Sequence, residues 1–333
     1  MKITHSSKIQ SLILAAALGI GLGFVSPVSA QVRSYIVDSN GEGLTDLGTP
    51  SGGHSLAKGI NDAGQVVGES YTAAGDRHAF ITGPNGVGMT DLGTPGGYRF
   101  ATAINDAGQV VGGSDTAAGA FHAFITGPNG VGMTDLGSLG TLGGGYNYAT
   151  GINDAGQVVG RSVTAESVDH AFITGPTGGG MIDLGTLGGG YGGYSEAHGI
   201  NDAGQVVGTS STAAGPFHAF ITGPNGVGMT DLGTLGGSYS SALGINDAGQ
   251  VVGWSDTAAG ARHAFVTGPD GVGMTDLNSL AGVPGGVVLT EATGINNHGQ
   301  IAVIGSIPEP ETYAMLLAGL SLLGFIVHRR KTA

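Results

Sequence analysis

Apolar residues along most of the chain come in short runs separated by polar turns. His78–Thr82 is a β-rich run, Gly83-Pro84-Asn85-Gly86 is a turn, and Gly88–Leu92 (GMTDL) runs back. Pro pre-sets φ and Asn-Gly supplies positive φ, so a hairpin is predicted. After a break at Gly96-Gly97, Phe100–Ile104 is a third strand, Asn105-Asp106-Ala107-Gly108 a second tight turn and Gln109–Gly112 a fourth strand. Asx side chains can bond the backbone in such a turn while Gly takes the left-handed conformation. Thr116-Ala117-Ala118-Gly119 then connects to the next unit. No long apolar pattern of helical period occurs in the body, so helices should be scarce.

This unit recurs six times. Ile-Asn-Asp-Ala-Gly-Gln-Val-Val-Gly starts at Ile60, Ile104, Ile152, Ile200 and Ile245, and a degraded copy starts at Ile295. The intervals are 44, 48, 48, 45 and 50 residues. His-Ala-Phe keeps phase with it, starting at His78, His122, His170, His218 and His263. The first unit reads Arg33-Ser34-Tyr35-Ile36-Val37 instead, in register, because Asp46 follows Arg33 by 13 residues as Asp91 follows His78. Four short strands per unit predict an all-β repeat protein, most simply a six-bladed β-propeller of four-stranded blades. Radial closure also removes the open edges of 24 strands. A β-solenoid is the alternative, although solenoid coils are shorter, at about 20–30 residues. The first unit opens on its first strand and the last ends on its fourth, so no strand exchange at a seam is visible.

The two ends read as addresses, each with a hydrophobic helix flanking the body. Residues 1–30 have the parts of a secretory signal: Lys2 and Lys8, the apolar Ser11–Val25, and Val28-Ser29-Ala30 before a cut between Ala30 and Gln31. Residues 31–306 form the repeat domain. In residues 307–333, Ile307-Pro308-Glu309-Pro310-Glu311 precedes the apolar Thr312–Val327 and the basic His328-Arg329-Arg330-Lys331. The apolar stretch is just short of the usual spanning length, and the basic cluster should stay cytoplasmic.

Pro-Glu-Pro, a short apolar helix and a basic tail, in that order, resemble the PEP-CTERM sorting signal of Gram-negative bacteria. The resemblance implies that Pro308, Glu309 and Pro310 are recognised by exosortase, an integral-membrane protease that removes the helix. It further implies an inner-membrane precursor, a cell-surface or extracellular destination, and an association with exopolysaccharide and biofilm. The body is similar to the HAF repeats of bacterial extracellular proteins. It shares His-Ala-Phe, the Asp-Leu-Gly-Thr-Leu-Gly-Gly complete at Asp183–Gly189 and Asp231–Gly237, and Gly-Ile-Asn-Asp-Ala-Gly-Gln-Val-Val-Gly. That resemblance implies export and repetition, and no reaction.

Composition narrows the chemistry. The 333 residues include 68 Gly and 12 Pro, close to low complexity, yet 40% are hydrophobic and only 11% charged, which argues for a folded chain. The formal charge is −13. Between residues 31 and 307 six Lys/Arg stand against 22 Asp/Glu, and the only Lys is Lys58, a poor balance for binding nucleic acid. The absence of Cys excludes disulfides, thiol catalysis and Cys-held metal clusters.

The repeated polar residues read as scaffold. A ring of His78, His122, His170, His218 and His263 could hold a transition metal, but an identical residue repeated from unit to unit suits a hydrogen bond to a neighbouring blade or to the Asp of Asp-Leu-Gly. Asp62, Asp106, Asp154, Asp202 and Asp247 offer too few oxygens for calcium and fit a turn role. No metal, cofactor or catalytic residue is therefore assigned. The Gly-rich Gly140–Tyr146 and Leu187–Gly193 lack the strand, loop and helix context of a phosphate cradle.

The repeat breaks in the loops after Asp-Leu-Gly, taken as Pro95–Phe100, Leu139–Tyr148, Leu187–His198, Leu235–Leu243 and Leu280–Thr293. They carry Tyr98, Tyr146, Tyr148, Tyr191, Tyr194 and Tyr239, whose faces suit sugar rings. Trp254, at the place of Glu69, Gly113, Arg161 and Thr209, is expected on a variable outer surface. The expected protein is exported, processed by signal peptidase and exosortase, non-catalytic, and bound to exopolysaccharide through these loops. The alternative is a polysaccharide-active enzyme on a propeller, for which Glu166, Asp169, Glu196 and His198 form the one unrepeated polar group.

Overall fold

Short β-rich runs punctuated by Gly turns fold as antiparallel hairpins. The computed structural model describes residues 34–37, 44–48, 54–71, 76–93, 99–139, 146–188, 192–280 and 287–306. These residues form five four-stranded antiparallel sheets, each with its strands in chain order, and two separate hairpins. The chain starts with a hairpin of β1 (Tyr35–Val37) and β2 (Leu44–Asp46). The first sheet is β3 (Ser55–Ile60), β4 (Val66–Tyr71), β5 (Arg77–Thr82) and β6 (Met89–Asp91). The second is β7 (Arg99–Ile104), β8 (Val110–Asp115), β9 (Phe121–Thr126) and β10 (Met133–Asp135). The third is β11 (Asn147–Ile152), β12 (Val158–Val163), β13 (Asp169–Thr174) and β14 (Met181–Asp183). The fourth is β15 (Ser195–Ile200), β16 (Val206–Ser211), β17 (Phe217–Thr222) and β18 (Met229–Asp231). The fifth is β19 (Gly236–Ile245), β20 (Val251–Thr257), β21 (Arg262–Thr267) and β22 (Met274–Asp276). A hairpin of β23 (Val288–Ile295) and β24 (Ile301–Ser306) ends the array.

The sheets do not coincide with the sequence units. Each hairpin built on Asn-Asp-Ala-Gly joins the His-Ala-Phe hairpin that follows it, as in Gly160↔Phe172 between β12 and β13. The reason lies in Thr-Ala-Ala-Gly, which is a turn inside a sheet and not a link between units. Thr116 N–H donates to Ala120 O at 2.7 Å and Gly119 N–H to Thr116 O at 2.9 Å, folding β9 back on β8. The passage to the next sheet is the longer segment after Asp-Leu-Gly. The array is left with half a sheet at each terminus, and among the described residues these halves do not pair.

Each sheet packs its leading face on the next. Val111, Ala123 and Ile125 of the second meet Ala149, Val158 and Phe172 of the third, and the set recurs with Val159, Ala171 and Ile173 against Ala197, Val206 and Phe220. Phe172 is fully buried, contributing about 2–3 kcal/mol. It sits across from Gly160, where a Cβ would lie 2.1 Å from Tyr148 O, so the second strand needs Gly for this close approach.

One end of every sheet holds both of its tight turns, and their side chains tie the sheets together. Asn153 is buried. Its Nδ2 donates to Gln157 Oε1 at 2.9 Å and to Asn201 O of the next sheet at 3.1 Å, and its Oδ1 accepts from Gln157 N–H at 2.9 Å. The same link runs from Asn61 to Asn105, Asn105 to Asn153, Asn201 to Asn246 and Asn246 to Asn296. Beside it, Asp62 N–H donates to Asp106 Oδ1 at 2.9 Å and Asp106 N–H to Asp154 Oδ1 at 3.0 Å. Asp202 and Asp247 accept in the same way.

The proposed signal peptide with Ala30 and Gln31, the tripeptide Pro308, Glu309 and Pro310, and both hydrophobic terminal segments lie outside the described residues. Among the described residues no helix is long and apolar enough to cross a membrane.

Candidate functional site

The ends of the sheets opposite the tight turns carry the residues that break the repeat. Three neighbouring positions vary together there: the residue just before the buried or aligned Ala of each first strand (Ala57, Ala101, Ala149, Ala197, Ala242), its cross-strand partner, and the first residue of the third strand. In the first sheet they are Leu56, Glu69 and Arg77, and in the second Phe100, Gly113 and Phe121. In the third they are Tyr148, Arg161 and Asp169, in the fourth Glu196, Thr209 and Phe217, and in the fifth Ser241, Trp254 and Arg262.

Between the first and second sheets, Lys58, Glu69, Arg77, Phe100 and Thr102 line a cleft of about 320 Å3. Arg77 Nη1 meets Glu69 Oε2 at 2.8 Å, and Lys58 is exposed. Aromatic rings gather between the second and third. Phe121 stacks on Tyr146 with centroids 4.7 Å apart, Phe100 lies 5.7 Å from Phe121, and Tyr148 lies 6.1 Å from Phe100. Tyr146 is 47% exposed, which gives this cluster a face open to solvent.

A polar network joins the third and fourth sheets. The hydroxyls of Tyr148 and Tyr194 each donate to the Glu196 carboxylate at 2.5 Å. Arg161 lies over both rings, 5.2 and 5.9 Å from their centroids, and meets Asp169 at 3.3 Å. His198 Nε2 is 4.0 Å from Glu196, and its Nδ1 donates to Ala242 O at 2.7 Å. Burial, then the bond and charge of Glu196, push the Tyr194 hydroxyl up to about 12 and move Tyr148 the same way. Burial pulls the Arg161 guanidinium down, but Tyr148, Asp169, Tyr194 and Glu196 together outweigh it and hold the cation.

Of the four polar residues singled out from the sequence, Glu196 and His198 meet directly and Asp169 joins them through Arg161. Glu166 lies in the exposed turn between β12 and β13 and shares no hydrogen bond or ion pair with them among the described residues. Tyr98 and Tyr191 are outside the described residues. Tyr148, Glu196 and His198, read as loop residues, are in strands, as is Phe100, which was given both to a loop and to a strand. Trp254 is half-buried, at the position of Glu69, Gly113, Arg161 and Thr209 in the other sheets. It lies inside β20, paired with Ser241 and Ala264, with the Arg262 guanidinium 3.7 Å from its ring centroid. Lys58, Arg77, Phe121 and Phe217 were missed; aligning the units on Ile-Asn-Asp would have set them in variable columns.

The repeated histidines face away from this band. His78, His122, His170, His218 and His263 each bond through Nδ1 to the Asp of Asp-Leu-Gly in the same hairpin: Asp91 at 2.6 Å, Asp135 at 2.9 Å, Asp183 at 2.9 Å, Asp231 at 2.8 Å and Asp276 at 2.7 Å. Each Asp also accepts a backbone N–H two residues on, as Asp91 does from Gly93. Burial raises the Asp276 carboxyl, but bonds from His263 and Asn278 outweigh it and hold it below the usual range. Among the described residues no three His, Asp or Glu side chains come together as a metal site.

Among solved structures the chain is similar to TolB from Acinetobacter baumannii, at 10% identity and a TM-score of 0.47 over 72% of this chain. It spans 57% of that protein's length. It is also similar to a putative TolB from Agrobacterium tumefaciens, at 13% identity and a TM-score of 0.46 over 74% of this chain and 89% of that one. A third likeness is the β-propeller domain of the trilobed protease from Pyrococcus furiosus, at 10% identity and a TM-score of 0.38 over 73% and 85%. None of these likenesses assigns an activity. No curated protein matches the sequence. Residues 306–331 match the model of the PEP-CTERM protein-sorting motif, which marks the chain as an exported, surface-directed protein processed by exosortase.

Proposed function

We propose that the protein is a non-catalytic component of the cell surface or extracellular matrix that binds exopolysaccharide through the variable end of its sheets. One observation carries this reading: unlike residues gather at one end of the array while the other end repeats a single set of turns. A scaffold alone needs no such asymmetry, whereas a surface that must differ from cleft to cleft does. Tyr146 on Phe121, and Tyr239 at 40% exposure, offer flat faces for sugar rings. The cleft of Lys58, Glu69, Arg77 and Phe100 adds a cation beside an aromatic ring, suited to an acidic sugar.

On this reading the sheets are HAF-type repeats arranged as propeller blades, six once the terminal hairpins count as one. The precursor is cut after Ala30, held in the inner membrane by its C-terminal segment, and released when exosortase acts at Pro308-Glu309-Pro310. Its destination is the polysaccharide of a biofilm.

The second reading, an enzyme, is favoured by the convergence of Tyr148, Arg161, Glu196 and His198. Both phenols occupy the carboxylate, which makes it a poor general base. The test is binding of the exported full chain to arrays of neutral and acidic polysaccharides, with chain length followed by size-exclusion chromatography. Binding without shortening is expected, weakened about tenfold by Tyr146→Ala, a loss of about 1.4 kcal/mol. Lys58→Ala should weaken acidic glycans only. Absence of binding, or shortened chains, overturns the proposal.

A further inference from the structure

The two terminal hairpins already stand where the halves of one more sheet belong. At the N-terminal side, Ser34 N–H donates to Ser55 Oγ at 3.2 Å and Ala57 N–H to Ser34 Oγ at 2.7 Å, while Leu47 is buried on Val66 and Phe80. The third and fourth strands of a sheet dock on the following sheet in the same way. Ala123 N–H donates to Asn147 Oδ1 at 2.7 Å, and Leu136 packs below. At the C-terminal side, Asn246 Nδ2 donates to Asn296 O at 3.2 Å and Ala292 is buried against Val252 and Ala264, as a first strand would be.

What remains open is one strip of surface on each side. Ile60 is 58% exposed, although its equivalent Ile104 is 8% exposed. Asn296 is exposed, although Asn61, Asn105, Asn153, Asn201 and Asn246 are buried. Ile304 is 53% exposed. Among the described residues, the second strand of every full sheet pairs on both sides, whereas β24 pairs only with β23 and β1 only with β2.

We propose that β24 pairs antiparallel with β1 of the same chain, completing a sixth sheet in the order β23-β24-β1-β2 and closing the ring. The inference rests on the propeller reading above and adds its seam. The repeat fixes the register. Val67↔Ile81, Gly68↔Phe80 and Glu69↔Ala79 in the first sheet become Ala302↔Ile36, Val303↔Tyr35 and Ile304↔Ser34. Val303 replaces the Gly of the other five second strands, and β23 has a register shift between Leu289 and Glu291, a place where the other first strands have none. Asn296 Nδ2 gains Asn61 O as its acceptor, ending the ladder of links where it began.

The chain has no Cys, so a designed pair is its only source of a disulfide. Adjacent cross-strand pairs alternate between wide and narrow spacing, so Ser34→Cys with Ile304→Cys and Tyr35→Cys with Val303→Cys cover both. Thr209→Cys with Ala219→Cys, in the matching place of the fourth sheet, is the positive control. Under mild oxidation of the full chain, one seam pair should form an intramolecular disulfide as completely as the control. A disulfide between two chains, or none where the control forms, overturns closure within one chain. In the unaltered protein the amides of β24 should exchange at least ~100-fold more slowly than free edge amides; unprotected β24 amides also overturn it. Glycan binding is read separately, so either proposal can fail alone.

Discussion

Removing the Asn153 side chain tests whether the links between sheets hold the array together. Asn153→Ala deletes two donor contacts and one acceptor contact, all at 3.1 Å or less. It leaves Asn201 O and Gln157 N–H without their partners, both at residues that are nearly buried. An orphaned buried polar group costs about 1–3 kcal/mol, so the two together should cost about 3 kcal/mol. With a urea dependence of about 3 kcal/mol per molar, the midpoint should fall by about 1 M. The neighbouring Asp154→Ala removes an exposed acceptor whose donor can turn to water, and should cost less than about 1 kcal/mol. Unfolding is followed by far-ultraviolet circular dichroism and by fluorescence of Trp254, the only Trp, which lies in the fifth sheet. If stability is a sum over neighbouring sheets, weakening the third-to-fourth contact should also draw the two transitions apart. A midpoint shift below about 0.3 M, or an equal shift in Asp154→Ala, would refute the assignment of the link to Asn153.

Other outcomes follow from single positions. Gly160→Ala places a Cβ 2.1 Å from Tyr148 O and 2.9 Å from Ala149 Cα, and should cost more than about 4 kcal/mol in thermal or urea melts. Gly180→Ala, at φ +61° with nothing within 4 Å, should cost only about 1–2 kcal/mol. Thr177 is β-branched at φ 61° where the equivalent positions hold Asn or, at Asp270, Asp, and unlike Asn129, Asn225 or Asp270 it accepts nothing from a Gln side chain among the described residues. Thr177→Asn should therefore raise stability by about 1 kcal/mol, read as a higher melting temperature. Tyr194 should ionise near 12 in an ultraviolet titration, and Glu196→Gln should move it back toward the ordinary value near 10. Because the folded-state value is raised, this contribution to stability is complete below about pH 10 and lost as the pH rises through about 12. Alkaline melts of Glu196→Gln should show a weaker pH dependence, the part due to burial remaining.

The strands were legible because turn chemistry is local. Pro-x-Gly and Asn-Asp-Ala-Gly fix their own backbone, and all five copies of each lie between two paired strands. Which hairpin joins which was not legible, because that depends on the length of the connection and not on the turn motifs. Thr-Ala-Ala-Gly has no strong turn signature, yet the hydrogen bonds of Thr116 close it tightly. The variable loops lie at the end of the sheets where the unlike residues gather. Their boundaries were set too late, since Tyr148 and Glu196 already belong to strands whose Ala-x-Gly core starts one residue on.

The offset between sheets and units bears on how such a chain can grow. A duplicated unit brings the second half of one sheet and the first half of the next. Inserted at any unit boundary, it splits an existing sheet and completes both fragments, adding one whole sheet without orphaning a strand. The Asn links accept the newcomer because every copy offers the same donor and the same carbonyl. Descendants of a duplication can then diverge at Leu56, Phe100, Tyr148, Glu196 and Ser241 while their joints stay interchangeable. Gene-level recombination can thus lengthen the array and diversify its surface in separate steps, without needing a new joint for either.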